Sequence, residues 1–354
     1  MSRTEKLNTK ELTDIAVSTI TEKLSCESCQ DDSAAMSKEI QLALEEKLSA
    51  CIKEKETLRK LQLTELEILK EVDRICRKHN LRYYIVGGTL IGAVRHKGFI
   101  PWDDDIDISM PREDFDKLCS LASAELGDGY FFQTQKSEKG CYFYYGKVRK
   151  EGTYFGEEKF EHLPLHKGIF IDVFPLDYIP DNTILQKIIF RGFSCLGGFI
   201  CSKEKTTEFL YKNMSLPFIL SFRFLQCLLP KKFLLWLRSG LGKLSNKLSK
   251  KNLLASLSGF HGYPNEIAPA QWWGDGCDIE FEGYTFRAPS EYHTLLTHMF
   301  GDYMQLPPEE ERVNHSVDSS KIIFSGCTPQ DYAPKIKRKH SHRYFPAEYD
   351  TENI

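Results

Sequence analysis

Residues 87–108 read GGTLIGAVRHKGFIPWDDDIDI, and the parsing of this stretch decides the fold. Just before it, residues 81–86 (LRYYIV) are rich in β-forming side chains and run straight into Gly87 and Gly88. After the glycines, residues 89–96 carry a short helical pattern, residues 98–102 form a loop around Pro101, and residues 106–110 form a second strand. Side chains two apart on a strand share a face, so Asp105 and Asp107 project side by side, with Asp103 on the same parity upstream. Carboxylates held that close repel one another unless a cation sits between them. A few hard oxygen ligands, with room left for water and substrate phosphates, suit Mg²⁺ or Mn²⁺ better than Zn²⁺. Gly87 and Gly88 permit close backbone approach to an anion, the helix that starts at Thr89 aims N–H groups at it, and Arg95, His96 and Lys97 add positive charge. The bland alternative is a solvated acidic loop, but the apolar Ile106 and Ile108 favour a half-buried strand.

Working outward, residues 36–79 predict a long helix in which Leu58, Leu61, Ile68, Leu69, Val72, Ile75 and Cys76 recur near the 3.6 period and face the sheet. A second helix is predicted over 112–125, with Phe115, Leu118, Leu121 and Ala122 inward, and further strands over 142–148 and 168–174. Metal-assisted phosphoryl chemistry needs a further acid to activate the attacking hydroxyl. Asp172 supplies it: it lies between Ile171 and Val173, where a lone carboxylate is costly unless paired or metal-bound. The alternative is a carboxylate that accepts backbone hydrogen bonds. Asp177, two residues after Pro175, reads more easily as a turn residue. The aromatic residues 142–145, with Trp102, Trp272 and Trp273, suit either core packing or the capture of a quaternary ammonium.

The expected fold is α/β, of the α+β kind, with a mixed sheet flanked by helices and a helical insertion. Residues 1–35 form a polar arm, 36–182 a catalytic core with its leading helix, 183–255 a basic, apolar helical insertion, 256–318 the rest of the catalytic domain and 319–354 a polar tail. Residues 203–251 carry a formal charge of +9, while the whole chain carries -3, so a global basic field for nucleic acid is excluded and electrostatic partners must be met locally. With its apolar run at 216–237, the basic stretch suits peripheral contact with anionic lipid. The apolar runs at 193–201 and 216–230 fall short of the roughly 20 residues that span a bilayer. Eleven scattered cysteines and an opening segment without an apolar core predict reduced thiols and a cytoplasmic setting, at the inner face of the membrane where the basic stretch makes contact; Cys26 and Cys29 read as an accidental pair.

Several blocks together resemble the LicD family of phosphocholine transferases and, more remotely, the fukutin-related glycan phosphotransferases. They are residues 87–107, Lys147-Val148-Arg149, residues 168–177, Trp272-Trp273-Gly274, Phe281-Glu282-Gly283 and GDYMQLPP at 301–308, followed by Arg312 and His315. The resemblance runs from about residue 60 to 318. It implies a nucleotidyltransferase-like fold, a CDP-linked donor such as CDP-choline, a divalent metal, and an acceptor hydroxyl on a glycan or lipid-linked glycan such as lipopolysaccharide, teichoic acid or capsule. By motif position it makes Asp105 and Asp107 metal ligands and Asp172 the third acid. It also places Lys147, Arg149, Arg312 and His315 near the donor phosphates. Two other readings compete: a nucleotidyltransferase that leaves a nucleotide on its acceptor, and a non-catalytic protein that binds membrane surfaces.

Overall fold

Most of the β-forming runs of the sequence come together in one seven-stranded mixed sheet, and two further strand pairs stand outside it. A computed structural model describes residues 32–157, 160–204, 229–259, 261–308, 311–312 and 321–332. In chain order the first elements are α1 (Asp32–Lys78), β1 (Tyr84–Ile85), α2 (Gly87–His96), β2 (Asp107–Pro111), α3 (Arg112–Glu125), β3 (Tyr130–Gln133), β4 (Gly146–Lys150), β5 (Tyr154–Phe155) and β6 (Phe170–Ile179). Then follow α4 (Thr183–Glu204), α5 (Lys231–Leu248), β7 (Leu253–Ala255), β8 (Ala268–Pro269), α6 (Ala270–Trp273), β9 (Cys277–Phe281), β10 (Tyr284–Ala288), α7 (Tyr292–Phe300) and β11 (Ile322–Ile323). The sheet order is β1-β2-β6-β4-β3, with β7 joined to the far half of β6 and β8 to β7. β2 and β6 run parallel and the other pairs antiparallel.

The alternation of side chains sorts the sheet into two faces. Ile108, Met110, Phe132, Val148, Ile171 and Val173 share one face and join Leu61, Ile68, Leu69 and Val72 of α1 and Phe115 and Leu118 of α3 in the main core. The opposite face carries Gln133, Lys147, Asp172 and Asp107 in one row, because the register pairs Gln133 with Lys147, Lys147 with Asp172, and Asp172 with Asp107. Continuous burial along β2 and β6 is what a parallel pair requires, and it explains why these strands hold few surface residues.

The predicted strand at 142–148 starts only at Gly146; Tyr142 and Phe143 turn away and pack with Ile200 and Leu234. β-propensity there reflects aromatic packing rather than a ladder. The strand predicted at 81–86 shortens to Tyr84–Ile85, and β6 continues through Pro175 to Ile179. Proline is tolerated because β6 leaves β4 after Val173 and meets β7 only at Asp177, so no ladder bond on that edge is lost. Asp177 is therefore a strand residue, not the turn residue expected. The helix α4 contains a 19-residue segment, Thr183–Cys201, long and apolar enough by length and composition to cross a membrane, with a third of it buried in the fold. Counting uninterrupted apolar runs missed it because Lys187 and Arg191 break the run. α4 and α5 form an antiparallel pair: Gly192 faces Leu241 and Gly197 faces Arg238. α5 is tied to β6, since Ser245 Oγ donates to Tyr178 O at 2.8 Å and Tyr178 N donates to Asn246 Oδ1 at 2.8 Å. Residues 1–31, the Cys26 and Cys29 pair, the apolar stretch 216–228 and, of the tail, residues 319–320 and 333–354 lie outside the described residues.

Candidate active site

The site forms where α2 meets the start of β2. Gly87 has φ +57, a conformation that a side chain would strain, and a Cβ on Gly88 would lie 2.5 Å from Asp103 Oδ2. The two glycines thus admit the acidic loop itself against the first turn of α2. Thr89 Oγ1 accepts a hydrogen bond from Asp107 N at 2.9 Å and fixes the start of β2. Gln62 of α1 donates from Nε2 to Asp103 O at 2.9 Å, so the long helix also grips this loop. Asp103 and Asp104 are buried, while Asp105 and Asp107 are half-buried.

Asp107 and Asp172 are neighbours across the parallel pair, and the backbone bond from Asp172 N to Ile106 O at 2.9 Å locks their register. Lys147, itself buried, completes the row: its Nζ lies 3.0 Å from Asp172 Oδ1 and 3.2 Å from Glu157 Oε1, and 3.3 Å from the centre of the Phe170 ring. One ammonium serves several acids. Buried Asp107 Oδ1 and Glu65 Oε2 have no hydrogen-bond partner among the described residues, whereas both oxygens of Asp172 face the Lys147 ammonium. Each such unmet acceptor costs about 1–3 kcal/mol, more when charged, so the cluster weakens the isolated fold.

The acid–base balance follows. Burial raises Asp107 well above the ordinary carboxylate range, Asp105, Asp172 and Asp103 raise it further, and Lys147 pulls it down. Asp172 is pushed up to about 6 by burial, against the lowering pull of Lys147. Burial also raises Glu65, on α1, which the charges of Asp105, Asp104, Asp103 and Asp107 raise further. For Glu157 burial is outweighed: Lys147 and Arg149 hold its carboxyl below the usual range.

Arg149, expected beside the donor phosphates, is instead enclosed. It donates to Gln133 Oε1 at 2.6 Å, Gly168 O at 2.8 Å and Glu157 Oε2 at 3.1 Å, and it braces the neighbours of the row. Lys147 likewise faces acids rather than solvent. The accessible cationic edge lies at the other end of α2. There Lys97 is exposed, Arg95 donates to Tyr303 O at 3.0 Å, and Arg312 sits 5.5 Å from the Trp102 ring centre. Arg95 is lowered by burial and by the charge of Arg312, which marks two guanidiniums close to one another. His315 lies outside the described residues. Two members of the site were missed in the sequence. Glu65 left a signal, an acid inside the apolar stripe of Leu61, Ile68 and Leu69; Glu157 comes from a loop and left none.

The residues present fit a hard divalent cation, because Asp107 and Asp172 offer adjacent carboxylates, Asp107 Oδ1 has no hydrogen-bond partner among the described residues, and the one ammonium beside Asp172 is shared with Glu157. Among the described residues no three His, Cys, Asp or Glu side chains stand close enough to form a complete ligand set. The fit is therefore to an ion shared with substrate oxygens, as Mg²⁺ commonly is.

Crowded acids on the paired strands of a mixed sheet, with guanidiniums at its edge, are the kinds of group that phosphoryl transfer uses. Comparison with known proteins narrows this. Residues 80–194 match the family model described as LicD/FKTN/FKRP, nucleotidyltransferase domain. The chain is 30% identical to the lipopolysaccharide cholinephosphotransferase LicD of Haemophilus influenzae over 75% of this chain and 98% of that protein. An uncharacterized protein of Rickettsia typhi is 31% identical over 40% of this chain and 43% of its own length. The ribitol 5-phosphate transferase FKRP of Mus musculus is 32% identical over 34% of this chain and 22% of its own length. The chain belongs to the LicD family of phosphotransferases.

Proposed function

We propose that this protein transfers a phosphate-bearing head group, phosphocholine from CDP-choline before others, to a hydroxyl of a cell-surface glycan such as lipopolysaccharide, teichoic acid or capsule. The supporting observation is the Asp107–Asp172–Lys147 row, in which one ammonium is shared by Asp172 and Glu157 while Asp107 Oδ1 has no hydrogen bond among the described residues, a balance that a bound cation would complete. In this reading Asp105, Asp107 and Asp172 hold Mg²⁺ or Mn²⁺, which when bound neutralises donor phosphate oxygens. Lys97, Arg95 and Arg312 receive the rest of the donor's negative charge. Asp172, raised to about 6, is suited to take the proton of the acceptor hydroxyl. The acceptor oxygen forms a bond to the head-group phosphorus, the bond from that phosphorus to the bridging oxygen breaks, and CMP departs with the electron pair.

Mass spectrometry of the products tests this. Phosphocholine on the acceptor with CMP released supports it. A nucleotide on the acceptor with phosphocholine released would make the protein a nucleotidyltransferase.

The α4–α5 face supports peripheral contact with the cytoplasmic leaflet as part of the same reading. Phe233, Trp236, Leu237, Leu244 and Leu248 form an exposed helical stripe on α5, with Trp236 68% exposed, and α5 carries several lysines and no acid. Co-sedimentation should favour anionic over neutral vesicles at low salt and weaken as salt rises. Equal binding to both would remove the contact.

A further inference from the structure

A cavity of about 470 Å³ opens at the opposite end of the paired strands, where β2 gives way to α3 and β6 reaches Asp177. Its size is within the range of small-ligand sites. Four residues of β2 separate it from Asp107, roughly 13 Å at strand rise. The bottom is fixed by the buried Arg112–Asp177 pair, which leaves little residual charge there. The rim is different. Lys136, Lys243 and Lys251 come from three separate segments, all are exposed, and among the described residues none lies within 4.0 Å of a carboxylate. Of the five cationic side chains that line the cavity, Arg112 is paired with Asp177 and Arg82 with Asp114, which leaves the three lysines against Glu113 and Asp116. The walls are aromatic, with Phe143, Tyr145 and Tyr178 among them, and Lys251 Nζ sits 5.6 Å from the Tyr178 ring centre. One wall is shared with the acid row: the Tyr145 ring centre is 5.7 Å from Lys147 Nζ and 4.8 Å from the Phe174 ring.

Aromatic faces bind the apolar C–H face of a sugar ring, and mobile lysines at a rim bind phosphate or carboxylate as point charges. We propose that this cavity seats an acidic sugar unit of the acceptor, its ring against the tyrosine faces and its anionic group on Lys243 and Lys251. The assignment rests on the glycan-transferase reading but concerns a separate place in the molecule. It gives the acceptor a grip one ring away from the row where its hydroxyl would react, while the donor's charge is met at the Arg95 and Arg312 edge.

The test is calorimetric titration of the full chain with glucose 6-phosphate, glucuronate, glucose and inorganic phosphate, in the wild type, in Lys243→Glu with Lys251→Glu, and in Asp107→Asn. Melting temperatures serve as the fold control. The expectation is that at least one acidic sugar binds at least about tenfold more tightly than glucose and than inorganic phosphate. Which of the two does so tells phosphate from carboxylate. The charge-reversed variant should lose that advantage at an unchanged melting temperature, and Asp107→Asn should keep it. Acidic sugars that bind no better than glucose, a phosphate ion that binds as well as glucose 6-phosphate, or indifference to the charge reversal would overturn the assignment. So would loss of binding in Asp107→Asn, which would put the anion at the acid row. Because no arm requires turnover, the cavity can fail while Asp107 and Asp172 still prove essential for transfer, and the reverse also holds.

Discussion

β6 carries two buried aspartates five residues apart, and they live in opposite circumstances. Asp177 accepts two hydrogen bonds at 2.8 Å from Arg112, one at 2.7 Å from Asn246 and one at 3.2 Å from Tyr144. Asp172 shares a single lysine with Glu157 and faces Asp107, whose own Oδ1 has no hydrogen-bond partner among the described residues. The same residue type, on the same strand, is a structural clamp at one end and an unbalanced charge at the other. A fold under selection for stability alone would finish both in the first way. On the proposed function, the unfinished one is where a ligand would complete the electrostatics.

Substitution should separate the two most sharply. Asp172→Asn is expected to slow transfer by roughly 10²–10⁴-fold, the usual worth of a proton-transfer group, while donor binding falls much less. Single-turnover rates alongside donor titrations measure the split, and a variant that loses only donor affinity would make Asp172 a binding residue instead. Asp177→Ala should do the reverse. It strands Arg112, which burial lowers and Asp177 restores to above its ordinary range, and it should cost about 3–5 kcal/mol of stability by urea melts, while the folded fraction keeps its donor affinity. A melting curve like that of the wild type would show that the clamp is idle.

How far the two ends were legible in the sequence follows from the distance of their partners. The order of strand, glycine turn, helix and second strand was readable because every signal lies within residues 81–111, although β2 begins at Asp107 and leaves Asp105 before the strand, and α3 begins and ends where its apolar period does. Asp172 was readable because Ile171 and Val173 betray a buried strand around it. Asp177 was not, since its clamp comes from Arg112 and Asn246, 65 and 69 residues away, and no local pattern reports them. The same holds for Arg149, whose charge suggested a phosphate ligand and whose enclosure depends on Gln133, Gly168 and Glu157 meeting in the fold.

A third buried acid offers a finer comparison, well outside the row. Glu266 is raised by burial to about 7 from an ordinary 4.5, and its Oε1 accepts from His261 N at 3.0 Å, which lowers it only in part. Because its pKa is higher folded than unfolded, the folded state favours the protonated acid. Its contribution to stability is full below about 4.5 and is lost as pH rises through about 7. Glu266→Gln should therefore flatten the fall in stability across that window, by up to roughly 3 kcal/mol at its upper end, with transfer unaffected. Unfolding free energies at pH 5 and pH 8 for both proteins check this. Parallel slopes would mean that the carboxyl is ionised in the fold.

The most direct test of the central claim is the transfer rate of Asp107→Asn, normalised to folded protein and measured beside its metal-free melting temperature. If the acid row is built for reaction rather than stability, removal of one crowded charge relieves repulsion, so the variant should melt at or above the wild type while transfer falls by at least about 10³-fold. Wild-type turnover, or a loss of activity that merely follows a lower melting temperature, would contradict the account.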